Sequence, residues 1–240
     1  MDDLARDEVL TAVDRLIEDV LSHAAMTQPP VSAIELAKRL GLQVRFEERA
    51  GRRGRDPLSS GLAVDRKPEA SEEARHWAAA RAIGQHYKKD LMSRLDATDD
   101  APRIAGESLG NLFAYHLLVP ASWLADDIKA IGYDLQALKE RYRTASHEVI
   151  AWRFLDLSEP CIVTIVDNDT VSRRRSNGVR VTRQLSPPER QCQRYVNHYS
   201  RPRTVQAQGW TVQGWPVHRT DWKLEILRST VEEDEWQAEG

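Results

Sequence analysis

Apolar residues recur every three to four positions through the N-terminal two-thirds of the chain, and this spacing predicts a series of amphipathic helices. We predict helices at residues 4–22, 33–40, 71–95, 106–119, 122–131, 135–142 and 147–154. Ser32, followed by Glu35, is typical of a capped helix start, and Gly41 is typical of a helix end. The last two helices flank a short turn, which is the outline of a helix-turn-helix motif.

Short apolar runs bounded by polar turns form a second pattern, which predicts strands. Two such runs, at 42–47 and 61–65, flank a turn rich in glycine and arginine, and this arrangement favours a hairpin. The sequence pattern changes at Pro160, because helical spacing dominates before it and strand-like runs dominate after it. There we predict strands at 161–166 and 170–174 joined by an Asp-Asn-Asp turn, a helix at 187–198, and strand pieces at 211–212, 215–217 and 222–227. Helices followed by strands indicate an α+β fold.

Composition narrows the class of protein. Hydrophobic residues make up 41% of the chain, charged residues 30%, and the formal net charge is -3, as in an ordinary folded protein without a general affinity for polyanions. Cys161 and Cys192 are too few for a disulfide framework or a cysteine-rich zinc site, so we expect reduced, packed thiols. The first residues are acidic and no apolar run reaches the length of a bilayer span, so we expect a cytoplasmic protein.

Three segments carry a resemblance to a known family. They read AIELAKRLGL at 33–42, GLAVD at 61–65 and ESLGNLFAYHLLVP at 107–120. Their order, followed by the helical pair at 135–157, resembles the ImmA/IrrE-type family of intracellular zinc peptidases, whose IrrE N-terminal-like domain the first two-thirds of the chain would form. The resemblance implies a zincin-like helical core with a short β-sheet, a helix-turn-helix-like helical pair, and a small C-terminal α+β domain.

The family's zinc motif is degenerate in this chain. In the family, one helix carries His-Glu-x-x-His, because side chains four residues apart share a helical face and the intervening glutamate activates the metal-bound water. Aligned on that pattern, Arg81 replaces the first histidine, Ala82 the catalytic glutamate and Gln85 the second histidine. Glu107 is retained at the position of the third ligand. The resemblance therefore implies a metallopeptidase-like protein that has lost two ligands and its base.

A lone carboxylate does not hold catalytic zinc, and an adjacent arginine repels a divalent cation. We therefore expect no metal, no cofactor and no catalytic residue, with Arg81 pairing instead with Glu107. An alternative is an active zinc endopeptidase with a shifted site, in which His76, His86 or His116 reaches a displaced zinc ion together with Glu107. A further alternative is that the polar residues at 81 and 85 are a helical stripe unrelated to any metal site.

These residues favour a pseudoenzyme. Active members of the family cleave helix-turn-helix repressors during stress. A degenerate member is therefore expected to be a regulatory module in transcription regulation and the stress response. Its expected partner is a protein, for which a helix-turn-helix repressor is the candidate. We predict four segments: an N-terminal helix at 1–30, a peptidase-like domain at 31–120, the helical pair at 121–158, and a C-terminal α+β domain with an acidic tail at 159–240.

A DNA-binding regulator is the remaining alternative. Basic side chains cluster at Arg173, Arg174, Arg175 and Arg180, and further arginines follow at positions 183, 190, 194, 201 and 203. Such a cluster is typical of a surface that binds phosphates. The acidic segment 221–239 is able to neutralise it within the fold, and the helical pair at 135–154 is as readily a structural element as a DNA reader.

Overall fold

The computed structural model describes residues 6–48, 61–66, 71–95, 109–178, 180–218 and 222–232, and its architecture is α+β. Within these residues, the helices are α1 (Arg6–His23), α2 (Ala33–Arg39), α3 (Glu72–His86), α4 (Lys88–Arg94), α5 (Leu109–Leu118), α6 (Ala121–Ile131), α7 (Leu135–Arg141), α8 (His147–Arg153) and α9 (Pro187–Tyr199). The strands are β1 (Gln43–Glu48), β2 (Gly61–Arg66), β3 (Ile162–Asp167), β4 (Thr170–Ser176), β5 (Arg203–Ala207), β6 (Trp210–Pro216) and β7 (Leu224–Val231).

The chain folds into two compact units that are interleaved along the sequence. The first unit comprises Met1–Gly132 and Lys139–Ser146, and the second comprises Tyr133–Leu138 and His147–Gly240. Most helices belong to the first unit, and the larger sheet belongs to the second. The four-segment division predicted from the sequence stays a prediction.

The helices of the first unit follow the predicted apolar pattern. α1 buries a continuous stripe that includes Val13, Ile17 and Val20, and it packs against α5. At the start of α2, the Ser32 hydroxyl accepts a hydrogen bond from the backbone N–H of Glu35 at 3.3 Å. Gly41 follows the helix with φ +71°, a left-handed conformation that glycine adopts without a steric penalty. The predicted cap and stop of this helix are thus confirmed.

The pairing of β1 with β2 differs from the prediction. The two strands are parallel, with Gln43 opposite Gly61 and Glu48 opposite Arg66, so the predicted hairpin is wrong. A hairpin turn reverses the chain and pairs strands antiparallel, whereas parallel strands need a connection of about a dozen residues or more. The connection here is residues 49–60, which lie outside the described residues and are long enough for that return.

A break separates α3 from α4, where the sequence predicts one helix over 71–95. Tyr87 ends α3 and begins α4 with φ −84° and ψ 8°, outside the helical range. Its ring stacks on Phe113 of α5 at a centroid distance of 6.3 Å. The break is therefore a tertiary feature, and helical periodicity does not reveal it because the apolar spacing continues through Tyr87. The predicted loop at 96–105 and the first residues of the helix predicted at 106–119 lie outside the described residues.

The second unit is built on an antiparallel five-stranded sheet in the order β4-β3-β7-β6-β5. Two hairpins of this sheet turn through consecutive residues with positive φ, Asn168 and Asp169 in one and Gln208 and Gly209 in the other. Such conformations are typical of type I′ turns, whose twist matches that of antiparallel strands. The first hairpin was predicted, whereas β5 was missed because Gln-Gly is a weaker turn signal than Asn-Gly.

Helix α9 covers the half of this sheet that contains β5, β6 and β7. Its buried residues Cys192 and Val196 form a core with Val205, Val212 and Leu227. A methyl group at Gly214 of β6 would lie 2.7 Å from the sulfur of Cys192, so the absence of a side chain there permits the close contact of helix and sheet. The predicted helix at 187–198 is confirmed, and it begins with a capping box at Ser186.

Candidate functional site

The degenerate motif lies on α3, at its contact with α5. A methyl group at Gly84 would lie 2.6 Å from Cβ of Phe113, and one at Gly110 would lie 2.6 Å from Nε2 of Gln85 and 3.4 Å from the carbonyl oxygen of Arg81. The two helices therefore approach through glycines, one on each helix. This contact brings residues 81–85 of α3 beside the start of α5.

The side chains at the motif positions differ in exposure. Arg81 and Gln85 are exposed, whereas Ala82 between them is half-buried. Gly110 lies close to both exposed positions, because a methyl group added to it would meet the backbone of Arg81 and the side chain of Gln85. Glu107 lies outside the described residues, so the predicted pairing of Arg81 with Glu107 stays a prediction.

The three histidines of the shifted-site alternative have separate surroundings. His116 Nδ1 is hydrogen-bonded to Asp14 Oδ1 at 2.6 Å. His76 Nε2 lies 3.6 Å from Glu72 Oε1, and burial lowers the pKa of His76 below its ordinary value despite that neighbouring carboxylate. His86 is exposed and meets the ring of Tyr87 edge-on. In the part of the chain that the structure describes, no three or more histidine, cysteine or acidic side chains are grouped to hold a metal ion.

The arginines of the predicted cluster differ in their contacts and in their exposure. Arg173 pairs with Glu148 at 2.6 Å and is about half exposed. The guanidinium of Arg175 lies over the ring of Trp152, 5.3 Å from its centroid. Arg180 is exposed.

The side chain of Arg174 is buried, which the prediction of a phosphate-binding surface did not anticipate. Its guanidinium donates two hydrogen bonds to the fully buried carboxylate of Glu189, at 2.8 and 3.0 Å, and one to Thr164 Oγ1 at 2.6 Å. Glu189 also accepts from the backbone N–H of Ser186 and from the Ser229 hydroxyl, both at 2.8 Å. Arg174 is therefore a structural residue that joins β4 to α9, and its side chain is not available to a phosphate.

A second buried carboxylate organises the other end of α9. Glu225 of β7 is fully buried and accepts hydrogen bonds from Asn197 at 3.0 Å and Gln193 at 3.4 Å. His218 Nε2 is hydrogen-bonded to Glu225 at 2.9 Å, and His218 Nδ1 is hydrogen-bonded to the Ser200 hydroxyl at 3.0 Å. A serine, a histidine and a carboxylate thus form one continuous chain of hydrogen bonds, which no spacing in the sequence indicates.

This chain has the residue types of a serine hydrolase, but its position opposes that chemistry. Ser200 follows the carboxyl end of α9 in the left-handed conformation, with φ 51°. The carbonyl groups at a helix carboxyl end carry partial negative charge, and they would destabilise the oxyanion that forms during acyl transfer. The Ser200–His218–Glu225 chain is therefore best understood as a structural connection that fixes the end of α9 to β7.

The two cysteines are packed thiols, as predicted. Both are free and buried. Burial raises the pKa of Cys161 to about 11 and that of Cys192 to about 12, so both thiols are protonated at neutral pH. Neither has the lowered pKa of a reactive cysteine.

Within the described ranges, no helix combines the length and the apolar character needed to cross a lipid bilayer. The chain matches no protein-family model, and it matches no curated protein sequence.

Proposed function

We propose that this chain is a catalytically degenerate ImmA/IrrE-like protein that acts as a regulatory module by binding a protein partner. The observation that supports it best is the contact of α5 with α3 near Gly110, where an added methyl group would meet Arg81 and Gln85. That contact brings the two helices that would supply a family zinc site together at the motif positions, while the side chains at those positions are not zinc ligands.

The chemistry of these side chains favours binding without cleavage. Zinc peptidases need imidazole and carboxylate ligands and a carboxylate base to activate water. A guanidinium at position 81 and an amide at position 85 supply neither ligand, and the methyl group of Ala82 cannot accept a proton. The same surface is able to contact a polypeptide through Arg81 and Gln85, which are both exposed.

The class of partner follows from the resemblance. Active members of the family cleave helix-turn-helix repressors, so a degenerate member that retains the protein-binding surface is expected to bind a repressor and leave it intact. This expectation is tested by a pull-down from stressed cells. Recovery of neither a repressor nor a peptidase would argue against a regulatory role.

Restoring the motif provides a sharper test of the ancestry. The variant Arg81→His/Ala82→Glu/Gln85→His rebuilds His-Glu-x-x-His on α3, and with Glu107 it completes a zinc-ligand set. If the scaffold is that of a zinc peptidase, the purified variant should contain about one equivalent of zinc by elemental analysis, and wild type almost none. Adding Glu107→Ala to the variant should remove most of that zinc.

A matched control corrects for histidine pairs that bind zinc on any helix. Glu18 and Ser22 are exposed on α1 at the same four-residue spacing, so Glu18→His/Ser22→His measures that background. Zinc in the restored variant that is no higher than in this control, or that does not depend on Glu107, would refute the proposed ancestry. About one equivalent in wild type, lost in Glu107→Ala, would instead support the shifted-site peptidase.

A further inference from the structure

The outward face of α9 carries positive charge in its middle turns. The helix buries Glu189, Cys192 and Val196 against the rest of the second unit. On the opposite side, Arg190 and Arg194 are exposed one turn apart. Their separation along the axis is about 6 Å, which is comparable with the spacing of neighbouring phosphates on an extended strand of nucleic acid.

The positive charge of this face is not neutralised by its own segment. Residues 180–203 contain six arginines, all exposed, at positions 180, 183, 190, 194, 201 and 203. The single acidic residue of the segment is Glu189, which is buried and bound to Arg174. Among the described residues, no acidic side chain lies within ion-pair distance of Arg190, Arg194 or Arg201.

Aromatic side chains accompany the arginines at the carboxyl end of the helix. Tyr199 is 57% exposed, and its ring contacts two neighbouring rings, those of Tyr195 at a centroid distance of 4.6 Å and His198 at 4.5 Å. The guanidinium of Arg203 lies 4.9 Å from the centroid of the Tyr195 ring. Tyr199 therefore presents a large aromatic surface to solvent in a conformation that its neighbours already restrict.

Two shallow concavities run along this face and share one arginine. The first, of about 480 Å³, is lined by Pro187, Arg190, Gln191 and Arg194. The second, of about 460 Å³, is lined by Arg194, Tyr195 and Tyr199 among others. Asp169 also lines the second concavity, but one oxygen of its carboxylate already accepts hydrogen bonds from two amide side chains of α9.

We propose that the exposed face of α9, with Arg201 and Arg203 beyond it, binds single-stranded nucleic acid. Phosphates contact Arg190 and Arg194, and an unpaired base stacks on Tyr199. A basic track beside an accessible aromatic ring is the combination that binds single strands without sequence preference. In duplex DNA the bases are stacked on each other and do not reach such a ring, and an acidic peptide has no base to stack on it. This surface lies in the second unit, so nucleic-acid binding by it is independent of the function proposed for α3 and α5.

Fluorescence anisotropy with a labelled oligothymidylate of about 15 nucleotides tests the proposal on the full chain. Wild type should bind it, with an affinity that falls steeply between about 50 and 200 mM salt. Tyr199→Ala should weaken binding roughly 5- to 150-fold, whereas Tyr199→Phe should retain it. Arg190→Gln/Arg194→Gln should reduce the slope of log affinity against log salt by about 1.4, because two phosphate contacts are lost.

Arg15→Gln/Arg75→Gln, which removes two exposed arginines of the first unit, is the charge-matched control. It should leave both affinity and salt slope close to those of wild type. Three results would overturn the proposal: no binding by wild type, equal losses in the control and in the α9 variant, or binding of duplex DNA or competition by polyglutamate as strong as that of the single strand. Circular dichroism of each variant establishes that a loss of binding is not a loss of folding.

Discussion

Replacing Arg174 by methionine removes the cation from a buried ion pair and leaves the carboxylate of Glu189 in place. The arginine side chain is 5% exposed and that of Glu189 is fully buried, so water cannot replace the lost hydrogen bonds. Breaking a buried pair in this way typically costs about 3–5 kcal/mol. Glu189 keeps two donors, from Ser186 and Ser229, which places the expected loss near the lower end, at about 3 kcal/mol.

Urea unfolding followed by circular dichroism measures this loss. A decrease of about 3 kcal/mol in the free energy of unfolding corresponds to a melting temperature lower by roughly 6–12 °C for a chain of this length. The control is Arg173→Gln, because its side chain is 52% exposed and its ion pair with Glu148 is expected to contribute no more than about 1 kcal/mol. The double variant Arg174→Met/Glu189→Leu should recover part of the loss, since it removes the stranded charge as well.

A loss below about 1 kcal/mol for Arg174→Met, or one equal to that of Arg173→Gln, would refute the reasoning. It would mean that Arg174 is solvated like its neighbour, and the residue would again be a candidate for contacting phosphates. On the structure described here, Arg174→Met changes stability and leaves nucleic-acid binding to the folded protein unchanged.

Three further outcomes follow from the packing and the titratable groups. Gly84→Ala should lower stability by about 1–3 kcal/mol in urea unfolding, because the new methyl group meets a phenylalanine of α5 at 2.6 Å, whereas Gly110→Ala should cost less because the group it meets ends a flexible side chain. Cys161 and Cys192, with pKa values raised by burial, should resist a thiol reagent at about pH 8 until the chain is unfolded; rapid labelling of the folded protein would contradict their burial. Because burial lowers the pKa of His76, protons bind the unfolded chain more readily, so the free energy of unfolding should fall as the pH drops below 6.5, and His76→Gln should reduce that dependence in urea titrations.

Local sequence signals predicted the elements well where the cause of the structure is local. The start of α2 at Ser32, its end at Gly41, and the turn at Asn168 and Asp169 depend on conformations that those residues favour by themselves. The break at Tyr87 depends instead on a ring of another helix, and the parallel pairing of β1 with β2 depends on where the chain returns. Neither cause is visible in a window of neighbouring residues.

The same distinction explains which site residues could be predicted. Arg81, Ala82 and Gln85 share one short motif, so the sequence alone is able to single them out, and their role stays a prediction. Arg174 was assigned to the surface because its partner, Glu189, lies fifteen residues away and meets it only through the packing of α9 on the sheet. The buried carboxylate of Glu225 was likewise missed, since its three partners come from α9 and from the separate segment that holds His218.

The interleaving of the two units constrains how the chain can be divided. A fragment that begins at His147 would lack Tyr133, whose ring lies 3.5 Å beneath the guanidinium of Arg228 in the second unit. Arg228 would then lose the aromatic ring that covers its buried guanidinium. This fragment should therefore be less soluble and less stable than one that includes Tyr133.

If the fragment begins at Tyr133 instead, the second unit is complete and the first unit is the one that loses residues. The first unit would then lose Lys139–Ser146, including Thr144, whose hydroxyl donates to the carbonyl of Val31 at 2.8 Å. A single cut at either position therefore removes from one of the two units a segment that contributes to its packing. Each half expressed by itself should therefore be less stable than the same unit within the intact polypeptide.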